Sequence, residues 1–273
     1  MKIIVTIPIY KNSLADFELI SLNQGLKTLG NYHIKFICYK DLDLSSYKTI
    51  LSNYENLKYS FEYFPKKYFK NIKGYNELLL SINFYKTISE WDYLLIYQLD
   101  AYIFKDDIID WCNKGYSYIG APWFKETEFG YSQSFNGVGN GGFSLRKIED
   151  QIKVLKSTKK IKTLSILKEE VGWNNRNLKG KVSICTSLIK RLINKNNRFN
   201  YKFTTHYKYN EDYFFSNDAK NRFDFYTTPN ETEALRFAFE INPEFLYKLN
   251  NEKLPTGCHA FQKYEPEFWK KFL

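Results

Sequence analysis

Apolar residues in this chain alternate between strand-like runs and helical spacing, and the alternation begins at once. Residues 2–9, KIIVTIPI, are β-branched and apolar over a strand's length and stop at Pro8, which predicts a buried first strand followed by a loop. Residues 14–29 place Leu14, Phe17, Ile20, Leu22, Leu26 and Leu29 near helical spacing, with Gly30 as the stop. IKFICY, 34–39, predicts a second strand. Strand, helix and strand of these lengths form a βαβ unit, and so predict an α/β fold with a mostly parallel sheet.

Residues 74–90 predict one further helix, and WDYLLIYQL, 91–99, a strand whose apolar character on both faces suits the middle of a sheet. A short helix is expected within 104–115 and a short strand over YSYIGAPW, 116–123. Between 124 and 142 the chain turns rich in Gly, Ser, Asn and acids, which predicts a mobile loop. Residues 147–195 alternate basic and aliphatic positions. SLIKRLINK puts Leu188, Ile189, Leu192 and Ile193 on one helical face and Lys190, Arg191 and Lys195 on the other. That face suits either a globular core or a membrane surface. PTGCHAF, 255–261, reads as a turn bounded by Pro and Gly. With no internal repeat or long linker, the 273 residues are expected to form a single domain carrying a basic helical insertion.

Composition adds a charge asymmetry. The net charge is +10, yet residues 151–208 hold 15 Lys/Arg against Glu169 and Glu170, leaving the rest of the chain near −3. A localised basic field suits an anionic partner such as a membrane surface, a phosphate-bearing substrate or nucleic acid, and equally a solvated lysine-rich helix face. The aromatics spread through predicted strands and helices instead of interleaving with the basic segment, which makes nucleic acid an unlikely partner. Cys38, Cys112, Cys185 and Cys258 stand far apart with no C-x-x-C pair, so zinc ribbons, thioredoxin-type motifs and a disulfide framework are excluded and a reducing cytoplasm is expected. No signal peptide or spanning helix is recognisable.

Four places could carry chemistry. Asp100 stands at the carboxyl end of the predicted central strand, where ligands of open α/β sheets bind. A carboxylate there needs a metal, a cation or hydrogen-bond donors, and taken alone a helix cap or an Arg partner explains it. His259 is one of three histidines; with Asp100 it forms a donor pair for a hard divalent cation, with coordination positions left for a diphosphate. Glu211 and Asp212 are adjacent acids before an apolar run, which fits a general base or an ordinary helix N-terminus. NGVGNGGFSLRK, 136–147, permits close backbone approach to a ligand but matches neither a dinucleotide fingerprint nor a P-loop.

Taken in order, VTIPIYKN, YQLDAYIF, YIGAPW, GNGGFSLR, NEDYFF and GCHAF resemble a GT-A glycosyltransferase, and more narrowly a bacterial family of uncharacterised glycosyltransferase-like proteins. The resemblance spans nearly the whole chain. It implies a GT-A-like (Rossmann-like) sheet, with a nucleotide-sugar-binding half over 1–147, the basic helical segment over 148–208 and a catalytic, closing segment over 209–273. The implied reaction is metal-dependent, inverting transfer of a sugar from a nucleotide-sugar donor, UDP-sugars favoured, to a glycan or lipid-linked acceptor in bacterial surface polysaccharide synthesis. Asp100 and His259 would hold Mn²⁺ or Mg²⁺, Asp212 would be the base with Glu211 less favoured, and Thr6, Pro8, Tyr10, Lys11, Gln98, Asp100, Gly141 and Gly142 would line the donor site. Gln98 stands where the D-x-D motif of the fold has its first Asp, leaving Asp100 as the carboxylate ligand. Residues 151–208 match no motif of the resemblance, and it is their basic charge that offers contact with the inner face of the cytoplasmic membrane. A nucleotidyltransferase acting on sugar phosphates, or a non-catalytic basic nucleic-acid- or carbohydrate-binding protein, is the alternative.

Overall fold

A computed structural model describes residues 1–128, 130–157, 177–193 and 209–273, the side chains of 187–193 excepted. Its strands are β1 (Ile3–Pro8), β2 (His33–Cys38), β3 (Tyr59–Tyr63), β4 (Tyr93–Tyr97), β5 (Ala101–Ile103), β6 (Tyr118–Ile119), β7 (Ala121–Thr127), β8 (Gly130–Gly139), β9 (Phe143–Lys147), β10 (Ala238–Phe239) and β11 (Gly257–His259). Six of them form the central sheet in the order β3-β2-β1-β4-β9-β6. β3, β2, β1 and β4 run parallel, and β9 is antiparallel to both β4 and β6. The chain therefore winds outward from β1 to β3 and then crosses to the other side of β1 as β4. That switch point is where an open α/β sheet leaves a crevice beyond its carboxyl ends.

The doubly apolar strands are buried on both faces, as parallel strands covered by helices must be. Val5, Ile7, Leu95, Phe143 and Leu145 point to one core, shared with Leu22, Leu26 and Leu29 of the helix Asp16–Leu29. Ile4, Leu94 and Ile96 point to the other, shared with Leu78, Leu79, Phe84, Val154 and Phe215. The result is the helix-flanked, mostly parallel α/β sheet expected from the sequence.

Several local expectations are corrected. Residues 74–90 make two helices, Ile72–Leu79 and Ile82–Lys86, because the Ser81 hydroxyl accepts the Asn83 N–H at 3.2 Å and starts a second helix. YSYIGAPW divides between β6 and β7, which belong to different sheets. The expected loop over 124–142 is largely β7 paired antiparallel with β8, with register shifts between Pro122 and Phe124 and between Phe124 and Glu126. Turn-forming composition predicted the irregularities and missed the pairing. PTGCHAF contains β11, inserted between β10 and β5. Leu178–Ile193 is helical, as expected for the basic segment, but the face carrying Leu188 and Arg191 lies outside the described side chains, and residues 158–176 and 194–208 lie outside the description altogether. Among the described residues no helix is long and apolar enough to cross a membrane.

Candidate active site

A cleft of about 660 Å³ opens beyond the carboxyl ends of β1 and β4. Pro8, Tyr10, Lys11, Gln98, Asp100, Gly141, Gly142, Glu211, Asp212 and His259 all line it. Thr6 does not. It is fully buried within β1, on the same strand face as Ile4, and its hydroxyl meets no hydrogen-bond partner among the described residues. Thr6 shares its strand face with Pro8 but lies two residues deeper in the sheet, before the strand reaches the crevice, so Thr6 is removed from the expected donor site.

Asp100 and His259, 159 residues apart in sequence, are brought together by register. β11 pairs antiparallel with β5 so that His259 lies opposite Ala101, one residue past Asp100. The imidazole Nε2 stands 3.2 Å from Asp100 Oδ1. On the far side of the ring, Nδ1 is 2.8 Å from Glu240 Oε1. Glu240 follows β10, whose Phe239 pairs with Cys258, and it was not singled out from the sequence because FAFEIN carries no chemical signature. Burial alone would lower the His259 pKa, but the two flanking carboxylates outweigh it and push it up to about 10. Burial works to raise Asp100, and the His259 charge with hydrogen bonds from His259, its own backbone and Gln262 brings it below the ordinary carboxylate value.

These residues suit a divalent cation. His259 Nε2 is buried and, beyond its 3.2 Å contact with Asp100 Oδ1, meets no other partner among the described residues. A carboxylate on Nδ1 is the usual device that fixes an imidazole tautomer and aims the other nitrogen at a metal. Among the described residues no cluster of three or more His, Cys, Asp or Glu is arranged as a metal cage. One carboxylate and one imidazole leave most positions for substrate oxygens, as Mg²⁺ and Mn²⁺ sites on phosphorylated substrates do.

The opposite wall is built on a buried ion pair. Arg146 on β9 is fully buried and donates through both terminal nitrogens to Glu211, at 2.8 and 2.9 Å. It also donates to the Ser144 hydroxyl at 3.1 Å and lies over the rings of Tyr118 and Phe215. The Glu211 backbone N–H is held by Asn76 Oδ1 at 3.1 Å. Both Glu211 oxygens are thus occupied by a cation. The F-S-L-R-K alternation of β9 contained the signal for Arg146: Phe143 and Leu145 pack into one core, and Arg146 must enter the other.

Asp212, the next residue, is different. Its Oδ1 accepts the Tyr213 backbone N–H at 2.8 Å, and no cation pairs with it among the described contacts. Burial, reinforced by the Glu211 charge, raises its pKa to about 7, against the pull of that N–H and of Arg146. A carboxylate poised near neutrality is suited to accept a proton.

Gly141 and Gly142 join the two walls. A Cβ on Gly141 would sit 2.5 Å from Glu211 Oε1 and 3.8 Å from the Asp212 Cβ, and one on Gly142 would sit 2.1 Å from His259 Nε2. These glycines line the cleft, and their bare α-carbons also let the acid pair and the imidazole approach the same stretch of backbone. Asn140, with φ 80°, holds that stretch by accepting from the Gly142 and Phe143 N–H groups at 2.9 and 3.3 Å. Near the end of β1, Lys11 donates to Glu18 at 2.8 Å while Tyr10 stays half exposed.

Comparison with known proteins follows this geometry. A family model described as "Protein of unknown function (DUF5672)" matches residues 58–259, which include Asp100, Gly141, Gly142, Arg146, Glu211, Asp212, Glu240 and His259. The chain belongs to this family. No curated protein matches its sequence. Among solved structures, mouse xyloside xylosyltransferase 1 in its apo form is similar with a TM-score of 0.49 and 10% identity, over 95% of this chain and 97% of that one. The apo glycosyltransferase GlyE of Streptococcus pneumoniae TIGR4 is 12% identical with a TM-score of 0.47, over 100% of this chain and 57% of its own. Core-mannan synthase A of Aspergillus fumigatus, in its Mn/GDP form, is 12% identical with a TM-score of 0.42, over 55% of this chain and 60% of its own. The match thus spans less than two thirds of the length of the latter two.

Proposed function

We propose that this DUF5672 chain is a metal-dependent, inverting glycosyltransferase that takes a nucleotide sugar, UDP-sugars favoured, and transfers the sugar to a hydroxyl of a glycan or lipid-linked acceptor. One observation carries the reading. A metal-fitting pair, Asp100 and His259, and a separate near-neutral carboxylate, Asp212, line one cleft at the switch point of the sheet. The donor diphosphate lies toward Asp100 and His259, with Pro8, Tyr10, Lys11 and Gln98 along its path. Asp100 and His259 would hold a divalent cation, which would supply charge neutralisation of the diphosphate leaving group. Asp212 accepts the proton of the acceptor hydroxyl as that oxygen bonds to the anomeric carbon. The bond from that carbon to the diphosphate breaks, and its electron pair leaves with the phosphate oxygen. Glu211, saturated by Arg146, holds the segment in place and is not the base.

The test is a panel of UDP-, GDP-, dTDP- and CMP-sugars scored by thermal shift and by release of nucleotide, with Mn²⁺, Mg²⁺ or chelator. A metal-dependent shift with at least one donor is expected, lost in Asp100→Asn and His259→Ala and kept in Asp212→Asn. Loss of proton acceptance in Asp212→Asn should slow transfer by roughly 10²–10⁴-fold. Release of inorganic diphosphate from a nucleoside triphosphate and a sugar 1-phosphate, supplied in a parallel assay, would make the chain a nucleotidyltransferase, and no response to any donor would remove catalysis on nucleotide sugars altogether.

A further inference from the structure

Two donor groups inside the cleft serve neither the fold nor the metal pair. Asn140 and Tyr75 both line it, and among the described residues neither Asn140 Nδ2 nor Tyr75 Oη, both buried, meets a hydrogen-bond partner. Asn140 is 1% exposed, and the direction of its amide is decided by its other end. Oδ1 accepts the backbone N–H groups of Gly142 and Phe143, so the nitrogen is the free end; a reversed amide would set N–H against N–H. At Tyr75, Gln98 draws the phenol pKa down, as a donor to its oxygen does, while burial outweighs that pull and keeps the hydroxyl protonated. The hydroxyl proton therefore has no acceptor among the described residues. A buried donor without an acceptor is costly, so two in one cleft call for a partner that the fold itself does not supply.

Both groups stand between the two walls. Asn140 leads into Gly141 and Gly142, whose α-carbons lie against Glu211 and the His259 ring. Tyr75 feels the charges of Glu211 and Arg146 on one side and meets Gln98, two residues before Asp100, on the other; the Gln98 N–H in turn donates to the Gly142 carbonyl at 2.8 Å. We propose that Asn140 Nδ2 and Tyr75 Oη donate hydrogen bonds to hydroxyl oxygens of the transferred sugar, and so hold its ring between the metal pair and Asp212. This deepens the glycosyltransferase reading and rests on it for the placement of the donor. The anomeric carbon parts from a diphosphate oxygen held toward Asp100 and His259 and bonds an oxygen whose proton goes to Asp212, so its ring occupies the space between those groups. Uncharged donors match uncharged hydroxyls, whereas a diphosphate is served by the cation and lysines. Neither residue exchanges a proton; each binds and orients the ring.

The experiment separates the sugar from its nucleotide. Calorimetric titration of the full chain with Mn²⁺ compares UDP-glucose with UDP, GDP-mannose with GDP and dTDP-glucose with dTDP, on the wild type, Tyr75→Phe and Asn140→Asp. Tyr75→Phe removes only the hydroxyl, so urea melts should show it at least as stable as the wild type. Asn140→Asp keeps the oxygen that accepts from Gly142 and Phe143 and removes the nitrogen donor; its added charge acts on the nucleotide with or without a sugar, so the ratio of the two affinities isolates the sugar contact. For a pair that binds the wild type, each variant should lower nucleotide-sugar affinity relative to the bare nucleotide by about 3–10-fold, the scale of one uncharged hydrogen bond. In Tyr75→Phe the bare nucleotide should bind as it does to the wild type. A ratio unchanged in either folded variant overturns the subsite and leaves the transferase reading standing, the donor group then being served by water. A wild type that binds none of the six compounds removes the transferase reading and the subsite with it, so the two failures are told apart.

Discussion

Removing Glu211 offers the sharpest test of how the acid segment is held. The carboxylate is 3% exposed and its partner Arg146 is fully buried, joined through two contacts of 2.8 and 2.9 Å. Replacing Glu211 with Leu leaves a guanidinium inside the second core with the Ser144 and Tyr85 hydroxyls as its remaining hydrogen-bond partners. At an effective dielectric near 20 and ~4 Å between charge centres, the lost attraction is about 4 kcal/mol. Breaking buried pairs elsewhere costs about 3–5 kcal/mol, so the two routes agree. Arg146→Met should cost a similar amount by orphaning the carboxylate. The double variant should lose less than either single, because an apolar pair carries no uncompensated charge. Urea unfolding followed by circular dichroism gives all three values. If either single variant lies within about 1 kcal/mol of wild type, the pair behaves as a solvated surface bridge and the argument fails. Strict additivity in the double variant would equally show that the two side chains are not coupled.

Four further outcomes follow from the same geometry. Transfer should fall as pH drops below about 7, where Asp212 takes up a proton, and this acid limb should vanish from the residual rate of Asp212→Asn. Because the folded Asp212 pKa lies above the ordinary carboxylate value, the folded state binds more protons than the unfolded one between pH ~4 and 7, so this group's contribution to stability declines as pH rises through that window, the reverse of the activity trend. Asp212→Asn should flatten that part of the stability profile in pH-dependent urea melts. Gly142→Ala puts a methyl 2.1 Å from the unaltered position of His259 Nε2, so the ring must move; a stability loss of about 1–3 kcal/mol and abolition of the Mn²⁺-dependent thermal shift are expected, and a normal metal response would contradict the packing. Thr6→Val removes a buried hydroxyl without a partner, so donor response should be unaltered and stability equal or higher by about 1 kcal/mol; a donor-specific defect would return Thr6 to the cleft.

Local patterning determined much of this protein. Apolar strands that read as buried on both faces are buried, the helix after β1 ends at Gly30, and Asp100 stands at the end of a central strand because the chain from Trp91 to Leu99 has no polar face to expose. Chemistry-bearing residue types were legible as well: an aspartate where a strand ends, a late histidine and an acidic pair stand out against apolar neighbours. Their company was not legible. Asp100 meets His259 through the antiparallel register of β5 and β11, and Glu240 joins them through the parallel register of β10 and β11, pairings between short strands that no local period encodes. The difference between Glu211 and Asp212 is also tertiary. As neighbours in sequence they are nearly equivalent acids, and one is consumed by Arg146 from a strand 65 residues earlier while the other stays on the cleft. Thr6 shows the same limit in reverse, since a strand's last residues reach the crevice or the core according to where the sheet ends. Sequence sets which surfaces must be buried, because burial is a property of side chains in series; which charges meet depends on the path by which the sheet closes over them.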